Sequence, residues 1–205
     1  MLEYLYNTPV AFLIFIFTLV TSIYAFNDPG LHGKFMLHPY SVYRKQNIYT
    51  LITSGLVHAN WMHLIFNLFT FYAFAFTLEA TIGSVRFGIL YFVALILSDI
   101  PSVIKHKDDF HYHSLGASGA ISAVLFSYIL FYPLNTLIIF PLPIPIWSAL
   151  FGILYLVYSY YMSKNSRDNI NHDAHLFGAI TGIIITILLV PGIVAHFMAA
   201  IGGGV

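Results

Sequence analysis

The stretch Gly116-Ala-Ser-Gly-Ala-Ile-Ser-Ala123 opens a hydrophobic segment over residues 117–132, and this segment decides how the chain folds. A polar side chain at bilayer depth is rare and usually lines a cavity or a reaction site. Gly119 and Ala123 lie about one helical turn apart, and small residues in this spacing let a second helix approach closely. The segment is therefore predicted to be a hydrophobic membrane helix that carries Ser118 in its first turn.

The matching segment covers residues 174–195 and opens with Ala174-His175. Gly178 and Gly182 follow at offsets that place them on the helical face of His175. If the two segments pack through these small residues, Ser118 and His175 lie at the same end of both helices. We therefore expect a Ser-His hydrogen bond, which activates a serine nucleophile. The alternative is that the small residues serve packing alone.

The composition places the chain in a membrane. Of its 205 residues, 59% are hydrophobic and 8% are charged, whereas soluble domains carry about 25% charged residues. The formal net charge is zero, so no nucleic-acid partner is expected. The absence of cysteine excludes a thiol nucleophile, a thiolate metal site and a disulfide. The start of the chain does not resemble a secretory signal, and the first hydrophobic segment is expected to be retained.

The hydrophobic segments predict an all-α membrane protein with six transmembrane helices and a long first loop, folded as a single domain over residues 1–205. A span needs about 20 apolar residues. The predicted spans cover residues 10–26, 61–80, 87–104, 117–132, 146–162 and 174–195. The fifth span is expected to begin after Pro145, because Pro141, Pro143 and Pro145 prevent a continuous helix. The loop of residues 27–60 is expected to lie in the membrane interface.

Polar side chains also mark the second predicted span. His63 and Asn67 are four residues apart and share a helical face. Their donors could point at a developing oxyanion, or they could only join neighbouring helices by hydrogen bonds. His58 precedes the helix start, where Asn60 is a candidate N-cap.

The remaining titratable residues do not suggest another centre. Asp173 lies two residues before His175 and points elsewhere on a helix, so the pattern indicates a dyad without a third acid. The chain has ten histidines, but no pair has the spacing of a His-Glu-x-x-His zinc site. We therefore expect no metal and no cofactor. Two further expectations are that Glu79 caps or tethers the turn after its own helix and that three histidines belong to loops, namely His111, His113 and His172.

Taken in order, these motifs resemble the rhomboid family of intramembrane serine proteases. The matching pieces are Gly116-Ala-Ser-Gly119, His58 with His63 and Asn67, Glu79-x-x-x-Gly83-Ser84, and Ala174-His175-x-x-Gly178-x-x-x-Gly182. The likeness extends over the whole chain. It implies a serine endopeptidase that cleaves single-span membrane proteins in or beside the bilayer.

The resemblance also implies roles for individual residues. Ser118 corresponds to the nucleophile and His175 to its general base and acid. Asn67, His63 and the backbone N–H of Ser118 correspond to the oxyanion hole. Residues expected to support this geometry are His58, Gly116, Gly119, Gly178 and Gly182.

The chain departs from the family pattern at two places. Tyr49-Thr50 stands where many members have a Trp-Arg pair in the first loop. Ser122 stands four residues after the nucleophile, where many members have an aromatic ring stacked on the histidine. The first departure predicts different loop anchoring, and the second leaves open what orients His175.

Two signals disagree on orientation. Seven of the eight basic residues, all but Arg86, lie opposite the predicted side of the termini, and the positive-inside rule would place them in the cytoplasm. The family instead faces its site to the extracytoplasmic side of the plasma membrane. We follow the family, because the first loop is long and the charge rule is a bias. Two other classes stay open: a proteolytically inactive rhomboid-like protein that binds membrane clients, and a transporter.

The fifth predicted span is expected to act as a movable lateral gate. It is short, it follows a proline-broken loop, and residues 164–171 are expected to cover it. We expect it to contact the second span through bulky apolar residues, with Trp147 and Phe151 at the cytoplasmic end and Tyr158 or Tyr161 nearer the site.

Overall fold

The computed structural model describes residues 2–138, 144–166, 168 and 170–203. These residues form helices joined by short loops and one small hairpin. The helices are α1 Leu2–Asn7, α2 Pro9–Asn27, α3 Pro29–Phe35, α4 Pro39–Tyr43, α5 Thr50–Thr53, α6 Trp61–Ile82, α7 Ser84–Lys105, α8 Ser118–Phe131, α9 Ser148–Asn165, α10 His172–Leu189 and α11 Ile193–Ile201. A 3₁₀ turn covers Ser54–Leu56, and strands β1 Thr136–Ile138 and β2 Pro145–Trp147 pair antiparallel.

The predicted all-α membrane bundle is confirmed. Four of the described helices, α2, α6, α7 and α10, are long and apolar enough to cross a bilayer. Helix α8 has only 14 residues, which gives a length of about 21 Å against about 30 Å of hydrocarbon. Helix α9 has 18 residues and lies where the fifth span is predicted. The count of six spans and the single domain stay predictions.

Helix α8 lies at the centre of the bundle, between α6, α7 and α10. All of its residues from Gly119 to Ile129 are buried. Its sequence suits this position, because the small residues Gly119, Ala120 and Ala123 let neighbouring helices approach closely. The helix that carries Ser118 is therefore held by the rest of the molecule.

Helices α8 and α10 touch backbone to backbone, as predicted. A Cβ atom built on Gly178 would overlap the carbonyl oxygen of Gly119, and one built on Gly182 would overlap that of Ala123. Any side chain larger than hydrogen at either glycine would push the helices apart. This seam fixes α10 against α8 along two turns.

The first loop has its own structure, as its length suggests. Asp28 caps α3 by accepting the N–H of Leu31 at 3.0 Å. The backbones of Leu37 and Ser114 pair, so the loop is joined to the segment before α8. Thr50, at the position of the missing Trp-Arg pair, is buried and donates its hydroxyl hydrogen to Asn47 O at 2.7 Å.

Arg44 supplies a further anchor for this loop. Its guanidinium lies 3.7 Å from the centre of the Tyr40 ring and donates to Lys107 O at 2.6 Å. It also lies 3.4 Å from the carboxylate of Asp108. This arginine thus joins the loop to the residues after α7, and the difference in loop anchoring from other family members stays a prediction.

Glu79 caps a different helix from the one predicted. Its carboxylate is buried and accepts the N–H groups of Val10 at 3.1 Å and Ala11 at 2.6 Å. These groups belong to the first turn of α2, where backbone donors have no partner within the helix and negative charge is favoured. Glu79 therefore joins α6 to α2.

Several predicted helix boundaries differ from the structure; the third long helix, for example, begins at Ser84 instead of residue 87. The sixth predicted span breaks after Leu189, because Pro191 cannot continue the helical hydrogen bonds and Gly192 has a left-handed φ of 88°. The short helix α11 follows this break. The fifth helix begins at Ser148 because Pro145–Trp147 pairs with β1 in an unpredicted hairpin. Pro141 and Pro143 lie outside the described residues.

Candidate active site

Ser118 and His175 meet at the first turns of α8 and α10. The hydroxyl oxygen of Ser118 lies 2.8 Å from Nε2 of His175. Asn171 starts α10 by accepting the N–H of Ala174 at 3.0 Å. The glycine seam then sets the depth of His175 against Ser118. The predicted hydrogen bond between the two side chains is confirmed.

The hydrogen bond fixes which ring nitrogen of His175 can act as a base. For Nε2 to act as the base it must accept the hydroxyl hydrogen of Ser118, and in a neutral imidazole that arrangement places the ring proton on Nδ1. Asp173 does not approach the ring, because it pairs with Lys105 Nζ at 2.7 Å. Among the described residues no carboxylate hydrogen-bonds to His175, and the catalytic dyad stays a prediction.

Gly116 shapes the segment before Ser118. Its φ of 111° is a value that residues with a side chain rarely adopt, and its N–H donates to Ser54 O at 2.9 Å. A Cβ atom here would lie 2.7 Å from Nε2 of His63. The glycine thus lets the imidazole of His63 lie directly against the start of α8.

His63 presents a hydrogen-bond donor to this region. Its Nδ1 accepts the N–H of Ala59 at 3.4 Å, so the ring proton of the neutral imidazole lies on Nε2, the nitrogen that faces Gly116. Asn67 is buried one turn further along α6 and donates one amide N–H to His63 O at 2.9 Å. The second N–H of its amide is not needed for that bond.

His58 is fully buried behind His63. Its Nδ1 lies 2.9 Å from the hydroxyl of Ser22, which donates its own hydrogen to Leu56 O at 2.8 Å. Nδ1 of His58 must therefore be the donor to Ser22. His32 Nε2 lies 3.1 Å from His58 O. These bonds join α2, the first loop and the segment just before α6, and the supporting role of His58 stays a prediction.

Tyr155 is the neighbour of His175 that the sequence analysis missed. Its ring is within 28° of parallel to the imidazole, with 6.4 Å between ring centres. Its hydroxyl lies 2.7 Å from the hydroxyl of Ser122. The one signal in the sequence is the serine at position 122, but nothing local shows that a ring from α9 takes the aromatic position.

His172 was predicted to be a loop histidine, and this was wrong. It is the first residue of α10 and is buried, while His111 and His113 lie in the loop before α8. Nε2 of His172 lies 3.2 Å from both carboxylate oxygens of Asp168. Its ring is edge-on to His175, with 5.9 Å between ring centres. The connector after α9 is thereby joined to the residue one turn before His175.

The charge of Asp168 is stabilised by its own loop. The Ser166 hydroxyl, the N–H of Ile170 and the His172 side chain lower the pKa of Asp168 to about 2. The carboxylate is therefore ionised at neutral pH. Beside it lies a polar cleft of about 170 Å³, and the described residues contain no group of three His, Asp or Glu side chains that could hold a metal.

Helix α9 packs on α10 and α8 far more closely than on α6. Tyr158 and Tyr161 are exposed, and the ring of Tyr158 is edge-on to His172 at 5.8 Å. Phe151 and Phe74 of α6 both border the buried cluster around Phe126. Phe74 and Phe151 thus lie beside the same cluster, and the predicted seam between the second and fifth spans stays a prediction.

Comparison with known proteins agrees with this architecture. YdcA of Bacillus subtilis, a protein named as a rhomboid protease, is 34% identical over 147 residues, which cover 68% of this chain and 66% of that protein. RHOMBOID-like protein 12, mitochondrial, of Arabidopsis thaliana is 26% identical, over 78% of this chain and 51% of that protein. The rhomboid protease GlpG of Haemophilus influenzae is 28% identical, over 79% and 82%.

The matched region thus spans about two thirds of the length of YdcA and about half of the length of RHOMBOID-like protein 12. A family model described as a rhomboid domain matches residues 45–192 of this chain, well over half of its length. That range contains the glycine seam, the Ser118–His175 pair and the polar face of α6. The chain therefore belongs to the rhomboid family.

Proposed function

We propose that this protein is an intramembrane serine endopeptidase that hydrolyses peptide bonds in or beside the transmembrane segments of single-span membrane proteins. The observation that carries the proposal is the 2.8 Å hydrogen bond from Ser118 to His175. A nucleophile and a base within hydrogen-bond reach are the minimal requirement for covalent acyl transfer. Membership of the rhomboid family supports the same reaction class.

The proposed reaction has two halves. The Ser118 oxygen attacks the peptide carbonyl carbon while its proton passes to Nε2 of His175. The imidazolium then returns that proton to the leaving amine as the C–N bond breaks. Water next gives a proton to Nε2 and attacks the ester carbonyl carbon. The imidazolium returns that proton to the Ser118 oxygen as the ester C–O bond breaks, which releases the new carboxyl end and restores Ser118 and the neutral His175.

The oxyanion would be stabilised at the start of α8. The backbone N–H of Ser118 is in the first turn, where helix dipoles favour negative charge. His63 contributes its Nε2–H, and Asn67 contributes its second amide N–H. Donors held in place before the reaction contribute most to such stabilisation, because they need no reorganisation.

The surrounding small residues keep this geometry. Gly116 lets His63 approach, while Gly119, Gly178 and Gly182 hold α10 against α8. His58 supports the loop beside His63 through its bond to Ser22. In the proposed enzyme these residues fix distances and take no part in bond making.

We further propose that residues 1–205 form a single six-span domain in the plasma membrane, with the site facing the extracytoplasmic side. Hydrolysis needs water, so the first turns of α8 and α10 would open to that aqueous phase. A helical substrate has no free carbonyl for attack and must unwind first. Glycine or proline in the substrate segment would favour cleavage, because both residues weaken helices.

A labelling experiment tests the proposal. The purified protein in liposomes is treated with a fluorophosphonate, and cleavage of a single-span reporter is followed in parallel. Wild type and the control Ser163→Ala should label and cleave, whereas Ser118→Ala should do neither. A folded wild-type protein that neither labels nor cleaves would overturn the proposal and favour the inactive client-binding alternative.

A further inference from the structure

The hydroxyl of Tyr155 has a defined role in one hydrogen-bond chain. Ser122 donates its single hydroxyl hydrogen to Ser118 O at 2.9 Å. The hydrogen of the 2.7 Å contact between Ser122 and Tyr155 must therefore come from the tyrosine. Ser122 thus acts as an acceptor on α8 that fixes a side chain of α9.

The ring of Tyr155 is held from several sides. Phe126 of α8 and Phe151 of α9 lie against it with ring centres 5.5 Å and 5.9 Å away. The imidazole of His175 lies alongside at 6.4 Å and nearly parallel. A ring fixed by both packing and a hydrogen bond limits the rotation of its neighbour. In the described part of the chain no carboxylate hydrogen-bonds to Nδ1 of His175 to orient the imidazole.

The start of helix α9 is attached through backbone hydrogen bonds. The N–H groups of Ser148 and Ala149 donate to Asn135 O and Pro133 O, both at 2.9 Å. Gly152 then packs on Ile129, whose Cδ1 would lie 3.2 Å from a Cβ. Beyond Tyr155 the outward side chains are exposed, including Val157 and Tyr161. Tyr155 is the residue through which the middle of α9 reaches the dyad.

From these contacts we propose that Tyr155 is a positioning residue that orients His175 from α9, so that the dyad is competent only while α9 is docked. The inference rests on the proposed protease function. It means that a substrate displacing α9 also removes the support of the base. Bond cleavage then waits until α9 has returned over the bound substrate.

The chain offers a graded set of variants. Tyr155→Phe keeps the ring and loses the hydroxyl, Ser122→Ala removes the acceptor, and Tyr155→Ala removes the ring. The double change Ser122→Phe with Tyr155→Ala places a ring on α8 again, while Tyr161→Ala is the matched control on the exposed face of α9. Each is assayed in liposomes with a single-span reporter, and kcat and KM are measured separately.

We expect Tyr155→Ala to lower kcat about 10- to 100-fold with KM little changed, because small misplacements of a catalytic group cost up to about 100-fold. Tyr155→Phe and Ser122→Ala should lower kcat less, the double variant should recover part of the loss, and Tyr161→Ala should match wild type. A kcat for folded Tyr155→Ala equal to that of wild type would overturn the inference. A second combination of results would also overturn it: the double variant has no higher kcat than Tyr155→Ala, and both Tyr155→Phe and Ser122→Ala have the kcat of wild type.

A readout that needs no proteolysis separates the two proposals. In protein with ¹⁵N-labelled histidine, the His175 signals should show one Nδ1-protonated tautomer in wild type and averaged tautomers in Tyr155→Ala. If wild type is inactive but this change occurs, the proposed function fails and the positioning role stands. If wild type is active and the His175 signals of Tyr155→Ala are unchanged, the positioning role fails alone.

Discussion

The seam between α8 and α10 is made by backbones, whereas the seam between α9 and the rest of the bundle is made by side chains. Gly178 and Gly182 leave no space for a Cβ atom beside α8. Helix α9 instead meets its neighbours through rings and through Ile129. Backbone contact resists any shift, but side chains can change rotamer. The two halves of the molecule are therefore suited to different tasks, one to fixed geometry and one to movement.

This difference corresponds to the arrangement of the candidate chemistry. Ser118 and His175 both lie on the fixed seam, so their hydrogen bond does not depend on α9 for its depth. Tyr155 lies on the movable helix and influences only the orientation of the imidazole. Distance and orientation are thus controlled by separate parts of the fold.

Removing either Ser118 or His175 should abolish the activity that depends on the fixed seam. Ser118→Ala and His175→Ala should each abolish cleavage of a single-span reporter while the protein stays folded. The double variant should be no worse than either single one, because residues that act as a unit are not additive. Reporter cleavage in liposomes checks this, and substantial activity in either single variant would refute the dyad.

A pair of glycine variants compares the two seams directly. Gly182→Leu should lower both stability and activity strongly, since even its Cβ would overlap Ala123 O. The Cβ of Gly152→Leu on α9 would meet side chains and not backbone, with Ile129 Cδ1 at 3.2 Å and the Phe126 ring at 3.4 Å, so its cost should be closer to the usual ~1–3 kcal/mol of overpacking. Thermal unfolding in detergent measures both variants. Equal losses would mean that the seams do not differ as described.

Asn67→Ala tests a candidate oxyanion donor that lies on α6, outside the seam between α8 and α10. Turnover should fall but not vanish, and by less than the roughly 10²–10³-fold loss of one oxyanion donor in a soluble protease, because His63 still presents Nε2–H. The measurement is kcat on the single-span reporter, with Tyr72→Phe on the exposed face of α6 as control. An unchanged kcat would return Asn67 to a purely structural role.

Tyr158→Ala should have the smallest effect, on the movable half. Its ring is edge-on to His172, so its loss should loosen α9 from α10 with little change in stability. If substrates pass beside α9, cleavage of a membrane-embedded substrate should speed up modestly, while cleavage of a short soluble peptide should not change. A disulfide between residues introduced on α6 and α9 is feasible because the chain has no native cysteine. Full activity of the cross-linked protein would exclude passage between these helices.

The meeting of Ser118 and His175 could be predicted because it follows from periodicity. Gly119 and Ala123 on one segment, and Gly178 and Gly182 on the other, mark faces that must touch once both segments are helices. Hydrophobic length likewise predicted the helices that form the bundle. Local patterns of this kind are independent of the rest of the fold.

The features that sequence reasoning missed depend on contacts between distant residues. Glu79 accepts the backbone N–H of Ala11 in the first turn of α2, although the two residues are 68 positions apart. Tyr155 hydrogen-bonds to Ser122 across 33 positions. No periodicity in either segment encodes such a partner. The break before α11 is different. Pro191-Gly192 is a helix stop signal that can be read from the sequence, but the prediction gave more weight to the hydrophobicity of the residues around it.

The short length of α8 sets a vertical scale for the molecule. With 14 residues it covers about 21 Å of a hydrocarbon layer about 30 Å thick. If its C-terminal end is level with one face of that layer, Ser118 lies about 9 Å below the opposite face, which equals about six residues of an upright helix. On the proposed function, the protein would measure its substrates by depth, and a scissile bond would be selected by its height in the bilayer as well as by its side chains.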